Sequence, residues 1–305
     1  MKLSVIVCTR NRSHAIIPCL DSIAQSLAHA APVDAEIIVV DNGSSDNTST
    51  LVRDWASRAA FPLNLQFEAR AGIAKAHNCG FRAARGDLLA LTDDDCRLSE
   101  NYIADLLRHD AADTETIIRG GRIELGDPSD LPLSIKTDLK PMRWNKLMNS
   151  ARHTSLGYCI GGCNMTMRRI VVEQLGLYDE RLGAGTSIPA GEETDFIFRA
   201  YLAGITIEYV PDMVVHHYHG RKTIPVGHKL LRHYMIGRGA VYAKHFFNDP
   251  NLCRPGYWDL KNTVWEILAG ENKFIPELGF SYKDMMRFCA LGALKYISVC
   301  MKKAN

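Results

Sequence analysis

Three consecutive aspartates, Asp93, Asp94 and Asp95, directly follow a short apolar run at residues 88–91. Like charges this close repel one another unless a cation or bound protons neutralise them. Because alternate residues of an extended chain point to the same side, Asp93 and Asp95 would present their carboxylates together, with Asp94 on the other side. Two oxygen ligands on one side suit Mg²⁺ or Mn²⁺ that also binds substrate phosphates. The sequence therefore predicts a divalent-metal site, and an acidic, solvated turn is the structural alternative.

The composition limits the class of protein. The chain has 305 residues, of which 47% are hydrophobic, enough for the core of one large domain or two smaller ones. A net charge of +2 gives no overall case for nucleic-acid binding. The nine cysteines lack the spacing of a disulfide framework, which favours reduced thiols and a cytoplasmic location. We expect neither a signal peptide nor a membrane-spanning segment, because no apolar run is long enough.

The first third of the chain alternates apolar runs with amphipathic stretches. We predict strands at 3–8, 36–40, 63–67 and 88–91, and helices at 13–29, 46–58 and 72–84. Ser13 is the predicted N-cap of the first helix, and Gly86 the residue that ends the third. This order predicts a parallel, right-handed, doubly wound sheet, which binds ligands beyond the carboxyl ends of its strands. Charged and polar residues follow each of these strand ends, in the segments 9–12, 41–46, 70–72 and 93–95.

The remainder is less regular at first and then helical. We predict strands at 117–125, 205–210 and 214–217 and a helix at 190–203, ended by Gly204. Three further helices are predicted at 226–247, 257–270 and 281–302. The expected organisation is one domain at 1–222, with a nucleotide-binding half at 1–97 and an acceptor half at 98–222, followed by a helical extension at 223–305.

Five segments together resemble family 2 glycosyltransferases of the GT-A fold. They are residues 4–12, 38–46, 71–80, 92–95 and 191–196, in the order and spacing of that family. The resemblance implies an α/β, GT-A-like, doubly wound and mostly parallel sheet. It also implies an inverting enzyme that uses Mn²⁺ or Mg²⁺ to move a sugar from a nucleotide-sugar donor, typically a UDP-sugar, to a hydroxyl of a glycan or lipid-linked acceptor in polysaccharide biosynthesis.

The resemblance also assigns roles to individual residues. Residues implied on the nucleotide-sugar side are Thr9, Arg10, Asp41, Gly72, Asn78, Asp93 and Arg221; the implied metal ligands are Asp95 and His217. Glu193 stands where the family usually has an aspartate as general base, so Glu192 and Asp195 are rivals for that role. Gly162, Glu192 and Asp195 are expected on the sugar or acceptor side. Asn78 has a structural alternative, a hydrogen bond to a neighbouring loop, and the His217 segment could be a polar edge strand.

Two other functions stay open from the sequence. A nucleotidyltransferase also holds a metal and a nucleotide, but residues 9–12 lack the glycines of its phosphate loop. Because Glu193 stands at the position of the usual aspartate, a non-catalytic nucleotide-sugar-binding protein stays an alternative. A dehydrogenase is excluded, because the first strand lacks a G-x-G-x-x-G turn.

The last predicted helix, over residues 285–302, is amphipathic and basic. Such a helix can lie on an anionic membrane surface, which would make the protein peripheral on the inner face of the membrane. Packing against the rest of the domain and contact with a second copy in a homodimer are the alternatives.

Overall fold

The computed structural model describes residues 2–145, 159–248, 253–270 and 273–304. The strands in these ranges are β1 (Lys2–Thr9), β2 (Asp34–Asp41), β3 (Leu63–Phe67), β4 (Leu88–Asp93), β5 (Cys96–Leu98), β6 (Ile117–Leu125), β7 (Met142–Trp144), β8 (Met165–Arg168), β9 (Thr206–His217), β10 (Lys273–Ile275) and β11 (Phe280–Ser281). The helices are α1 (Ile16–His29), α2 (Thr48–Ala56), α3 (Ile73–Ala83), α4 (Tyr102–Ala112), α5 (Arg169–Leu175), α6 (Glu192–Leu202), α7 (Ile224–His245), α8 (Cys253–Ala269) and α9 (Tyr282–Ala304).

Nine strands form one central sheet. Its order is β3-β2-β1-β4-β8-β6-β9-β5, with β7 also paired to β9. The first four strands of this order are parallel, as are β6 and β9. β8 runs antiparallel between β4 and β6, and β5 and β7 run antiparallel to β9. The predicted mostly parallel α/β fold is therefore confirmed.

The sheet is buried on both faces because helices cover each side. Along β1, Val5 and Val7 pack into one apolar layer, while Ile6 and Cys8 pack into the other. The whole of β2 after Asp34 is buried. A strand buried on both faces is mostly apolar, which is why β1 and β2 read as nearly continuous apolar runs, and the buried Ser4 donates a hydrogen bond to Glu36 at 2.8 Å.

Two predicted helix ends are wrong. Ser13 does not cap α1, which begins at Ile16; the Ser13 N–H instead donates to Asp46 Oδ2 at 3.2 Å. Gly86 does not end α3, because the backbone is already extended at Ala84, and the Gly86 N–H donates to Ser4 Oγ at 2.8 Å. In both cases a contact from a distant segment replaces the local capping pattern. The end of α6 is as predicted, with Gly204 at φ +82°.

The strands predicted at 205–210 and 214–217 form one strand, β9. The pairing of β9 with β6 jumps from Val210 to Val214 opposite Gly121 and Arg122, which marks a bulge. Pro211 lies in this bulge, where its missing N–H costs no ladder hydrogen bond.

The C-terminal helices α7, α8 and α9 lie close to their predicted positions. α7 and α9 pack together and enclose two apolar clusters with the preceding domain, one around Leu133 and Met285 and one around Leu182 and Tyr296. Within the described ranges, every helix is too short or too polar to cross a lipid bilayer. The boundary at residue 222 stays a prediction.

Candidate active site

The register of the sheet brings the polar strand ends together. In the parallel ladders Thr9 of β1 pairs with Asp41 of β2, and Cys8 pairs with Asp93 of β4. On the far side of the sheet, Cys96 pairs with His217. Residues from distant parts of the sequence thus meet at one edge.

The three aspartates lie close together within this edge, and the carboxylates of Asp93 and Asp95 converge. Asp93 ends β4, and a turn at Asp94 and Asp95 leads into β5. Asp95 Oδ1 lies 3.2 Å from His217 Nε2, and Asp95 Oδ2 lies 3.4 Å from Arg12 Nη2. Asp94 Oδ1 lies 3.5 Å from Arg12 Nε. Arg12 therefore bridges two of the three carboxylates.

The charges of this cluster are only partly balanced. Burial, and after it the charge of Asp95, raises the pKa of Asp93 to about 6, although the charges of His217, Arg12 and Arg221 lower it. Burial likewise raises the pKa of Asp94 to about 7. Against the effect of burial, the hydrogen bond and charge of His217 lower the pKa of Asp95. Burial alone would lower the pKa of His217, but Asp95 raises it to about 9. Arg12 and His217 therefore offset only part of the cost of burying Asp93 and Asp94, and a bound cation would stabilise the charged forms of these carboxyls further.

The donor set fits a divalent ion. Ligand atoms of Asp93, Asp95, Cys96 and His217 all lie within 4.8 Å of one another. Carboxylate oxygen and imidazole nitrogen are suitable donors for Mn²⁺. Burial raises the pKa of the Cys96 thiol well above its ordinary value, and a neutral thiol is a poor ligand for a hard cation. Asp93, Asp95 and His217 are therefore the residues that could hold the metal.

Several buried polar atoms at this edge have no protein partner. Among the described residues, eight buried side-chain atoms lack a hydrogen bond, and four of them belong to residues predicted for the site: Thr9 Oγ1, Glu192 Oε2, His217 Nδ1 and Arg221 Nη1. Burying a polar group without a partner is costly, so such atoms are expected to bind a partner outside the protein, which is a water molecule, an ion or a ligand. The charge of Arg221 lowers the pKa of both Asp93 and Asp95, which places its guanidinium against the cluster.

The start of α6 brings a second pair of carboxylates to the site. Gly191, at φ +102°, turns the chain into the helix, and Glu192 and Glu193 follow. Burial raises the pKa of Glu192 to about 7 and that of Glu193 well above its ordinary value, and the charge of Asp93 adds to both. The Glu193 carboxylate lies against Gly162, where a Cβ atom would overlap it. Gly162 and Glu193, predicted separately, are thus in contact.

The loop after β2 is held by its own hydrogen bonds. Asp41 Oδ1 accepts from the Ser44 N–H at 2.8 Å, and Asp41 Oδ2 accepts from the Ser49 hydroxyl. Asn42 fixes the start of α3, because its Oδ1 accepts from the Gly72 N–H at 2.9 Å. The next N–H of this helix, that of Ile73, donates to Ala184 O. These two N–H groups are therefore engaged within the protein, and the predicted approach of Gly72 to the nucleotide stays a prediction.

Of two other predicted nucleotide contacts, that of Asn78 needs correction and that of Arg10 stays a prediction. Asn78 Nδ2 donates to Tyr178 O and Glu180 Oε1, and its Oδ1 accepts from the Tyr178 N–H. This is the loop contact that the sequence left as the alternative. Arg10 is exposed, whereas Arg12 reaches the acids, because Asn11 between them has φ +53° and redirects the loop. The feature of the sequence that could have indicated Arg12 is its position in the same basic loop, two residues after Arg10.

Asp195 is not on the sugar side. It is fully buried, and its carboxylate lies 2.7 Å from His245 Nε2, 2.8 Å from Lys244 Nζ and 3.0 Å from Arg199 Nε. These partners lie on α6 and α7, so Asp195 ties the two helices together. Its predicted role is therefore corrected to a structural one.

The comparisons with known proteins agree with this geometry. The sequence model of the family described as "Glycosyl transferase family 2" matches residues 4–175. Glycosyltransferase AglE of Haloferax volcanii is 25% identical over 240 residues, which is 78% of this chain and 73% of that protein.

Two solved structures have a similar fold. TarS of S. aureus, in complex with UDP-GlcNAc, matches with a TM-score of 0.58 and 18% identity over 87% of this chain and 77% of that one. The mannosyltransferase PcManGT of Pyrobaculum calidifontis, in complex with GDP-Man and Mn²⁺, matches with a TM-score of 0.65 and 19% identity, covering 97% and 86%. Both likenesses show the GT-A fold.

Replacing Asp195 tests its structural role. Asp195→Ala removes the fully buried carboxylate that Arg199, Lys244 and His245 share, so we expect the free energy of unfolding to fall by about 3–5 kcal/mol. Urea unfolding measures this loss. The control is Asp105→Ala, which removes one of the two carboxylates paired with the exposed Arg108 and should cost at most about 1 kcal/mol. Equal losses in the two variants would contradict the assignment.

Proposed function

Because the chain belongs to glycosyltransferase family 2, we propose that it transfers one sugar from a nucleoside-diphosphate donor to a hydroxyl acceptor, with inversion at the anomeric carbon. The observation that carries this proposal is the set of unpartnered buried atoms on Thr9, Glu192, His217 and Arg221 beside a buried acidic cluster in which burial raises the pKa of Asp93 and Asp94. An anionic diphosphate together with a divalent cation would satisfy both. Family membership also excludes the nucleotidyltransferase alternative.

The donor we propose is a UDP-sugar. Asp41 is the residue expected to accept a hydrogen bond from the base, and its carboxylate retains lone pairs beyond the two used by Ser44 and Ser49. Arg221, with its unpartnered Nη1, and Arg12 would contact the diphosphate oxygens. TarS was solved with UDP-GlcNAc and PcManGT with GDP-Man, so the choice of base rests on the predicted role of Asp41.

A divalent cation, Mn²⁺ or Mg²⁺, would be held by Asp93, Asp95 and His217. When bound, it supplies positive charge that stabilises the departing diphosphate. The presence of Mn²⁺ in PcManGT supports this proposal.

Glu193 is the proposed general base. The acceptor hydroxyl oxygen forms a bond to the anomeric carbon as the bond from that carbon to the diphosphate breaks, and the hydroxyl proton passes to the Glu193 carboxylate. Contact with Gly162 and the neighbouring charge of Asp93 fix and polarise this carboxylate. General base catalysis of this kind contributes roughly 10²–10⁴-fold to a rate. The acceptor we propose is a glycan or lipid-linked glycan, and the location cytoplasmic, in keeping with the free cysteines among the described residues.

The metal assignment is tested by titrating Mn²⁺ into the protein with UDP present. Asp95→Asn removes a charged ligand and should weaken Mn²⁺ binding, measured calorimetrically, by about tenfold or more. Asp94→Asn is the matched control: its carboxylate lies 3.5 Å from Arg12 Nε, outside the donor set, so the affinity should stay within about threefold. If both variants bind Mn²⁺ as the wild type does, Asp95 is not a ligand.

The base assignment is tested with Glu193→Gln. The donor is the UDP-sugar that most raises the melting temperature with Mn²⁺, and the readout is UDP release, with water or an added glycan as acceptor. We expect kcat to fall by about 10²–10⁴-fold while the affinity for the donor is unchanged. Because burial raises the pKa of Glu193, wild-type kcat should rise with pH until this carboxyl is ionised. The variant should lack this rise.

Glu192→Gln is the control for the base, since it removes the neighbouring carboxylate on the same helix turn. It should reduce kcat by less than about tenfold. A larger loss in Glu192→Gln than in Glu193→Gln would transfer the role of base to Glu192.

Gly162→Ala tests whether the position of the Glu193 carboxylate matters. The added methyl group occupies the place of the carboxylate, which is the mobile end of its side chain and can move aside. We therefore expect little change in melting temperature but a fall in kcat of about tenfold or more, because small displacements of a catalytic group are costly. Unchanged kcat would show that Glu193 acts from another position or not at all.

A further inference from the structure

Helix α8 is oriented with its polar side inward. The residues that it buries are Asp259, Thr263 and Glu266. Its large apolar residues are instead between 47% and 79% exposed: Tyr257, Trp258, Leu260, Val264, Trp265, Ile267 and Leu268. A helix at the surface of a globular protein normally buries its apolar stripe and exposes its polar one.

Specific polar contacts hold α8 in this orientation. Asp259 Oδ2 accepts from Arg238 Nη2 of α7 at 2.6 Å. Glu266 Oε1 accepts from Lys273 Nζ at 2.9 Å, and Glu266 Oε2 accepts from the Lys283 N–H at 3.0 Å. Rotating the helix to bury its apolar side would break these bonds and leave charged groups without partners, which costs several kcal/mol. The exposed apolar side is therefore part of the stable fold.

We propose that this apolar side of α8, defined by the seven residues given above, inserts into the headgroup region of an anionic lipid bilayer. Tryptophan and tyrosine rings are enriched at this depth, and aliphatic side chains reach the acyl boundary. The only charged side chain among the exposed residues at 257–268 is Lys261, whose Nζ lies 4.9 Å from the Trp258 ring centroid. Both acids of that stretch point inward, so nothing on this side repels an anionic surface.

The neighbouring helix α9 also exposes apolar and basic side chains. α9 exposes Leu291, Leu294, Ile297 and Met301 along one stripe, and its exposed charged side chains in the range 283–301 are the basic Lys283 and Arg287. This charge pattern complements an anionic bilayer. It does not complement a second copy, which would present the same basic groups and no acid. The bilayer is therefore favoured over a homodimer contact as the partner of this surface.

Sedimentation with lipid vesicles tests the proposal without reference to catalysis. The 305-residue chain is mixed with vesicles of phosphatidylcholine alone or of phosphatidylcholine with the anionic lipid phosphatidylglycerol. We expect the wild type to pellet with the anionic vesicles. The double variant W258E/W265E should partition at least about tenfold more weakly, because two apolar anchors are lost and negative charge is added.

The matched control is the double variant F67E/L139E. It replaces two residues that are 67% and 77% exposed and lie far from α8 in the sequence, with the same change in charge. It should bind the vesicles as the wild type does. Wild-type protein that stays in the supernatant, or equal binding by W258E/W265E, would overturn the proposal.

Light scattering after size-exclusion chromatography tests the alternative partner of this surface, a second copy of the chain. If the wild type is a dimer without lipid and W258E/W265E is a monomer, the surface is a contact between copies, and the membrane proposal fails. The UDP-release assay is independent of this result, so failure here leaves the proposed transfer reaction standing.

Discussion

The architecture of the site depends on the repulsion between carboxylates that are gathered at one edge of the sheet. Asp93, Asp94 and Asp95 come from the end of β4, and Glu192 and Glu193 come from the start of α6. Burial raises the pKa of four of these five groups, so the protein bears an energetic cost at this edge. Such a cost is typical of a site that awaits a cationic or proton-donating partner.

Neighbouring cationic side chains offset part of the repulsion between these carboxylates, and a bound cation would offset more of it. Arg12 bridges Asp94 and Asp95, and His217 pairs with Asp95. These contacts exist because the left-handed Asn11 redirects the loop after β1 and because β5 pairs with β9. Away from the cleft, Asp195 and Asp259 hold α6 and α8 to α7 with fully paired charges. In this chain, the paired buried charges away from the cleft hold helices together, whereas the incompletely paired ones lie at the candidate active site.

Much of the fold could be predicted from the sequence, because buried parallel strands are continuous apolar runs and their polar ends must share one edge. Residue roles that depend on side-chain direction could not. Asp195 lies two positions after Glu193 but faces α7, and Arg12 rather than Arg10 meets the acids. The pattern of α8 shows an apolar and a polar side but not which side is buried, since that is decided by Arg238 and Lys273 elsewhere in the chain.

The most direct test of this account is the position of the metal in crystals grown with Mn²⁺ and UDP, located by the anomalous scattering of manganese. The account predicts one peak within coordination distance of Asp95 and His217, about 2–2.3 Å from their ligand atoms, in contact with the diphosphate. A peak elsewhere, or UDP bound with its diphosphate away from Arg221 and the three aspartates, would contradict it.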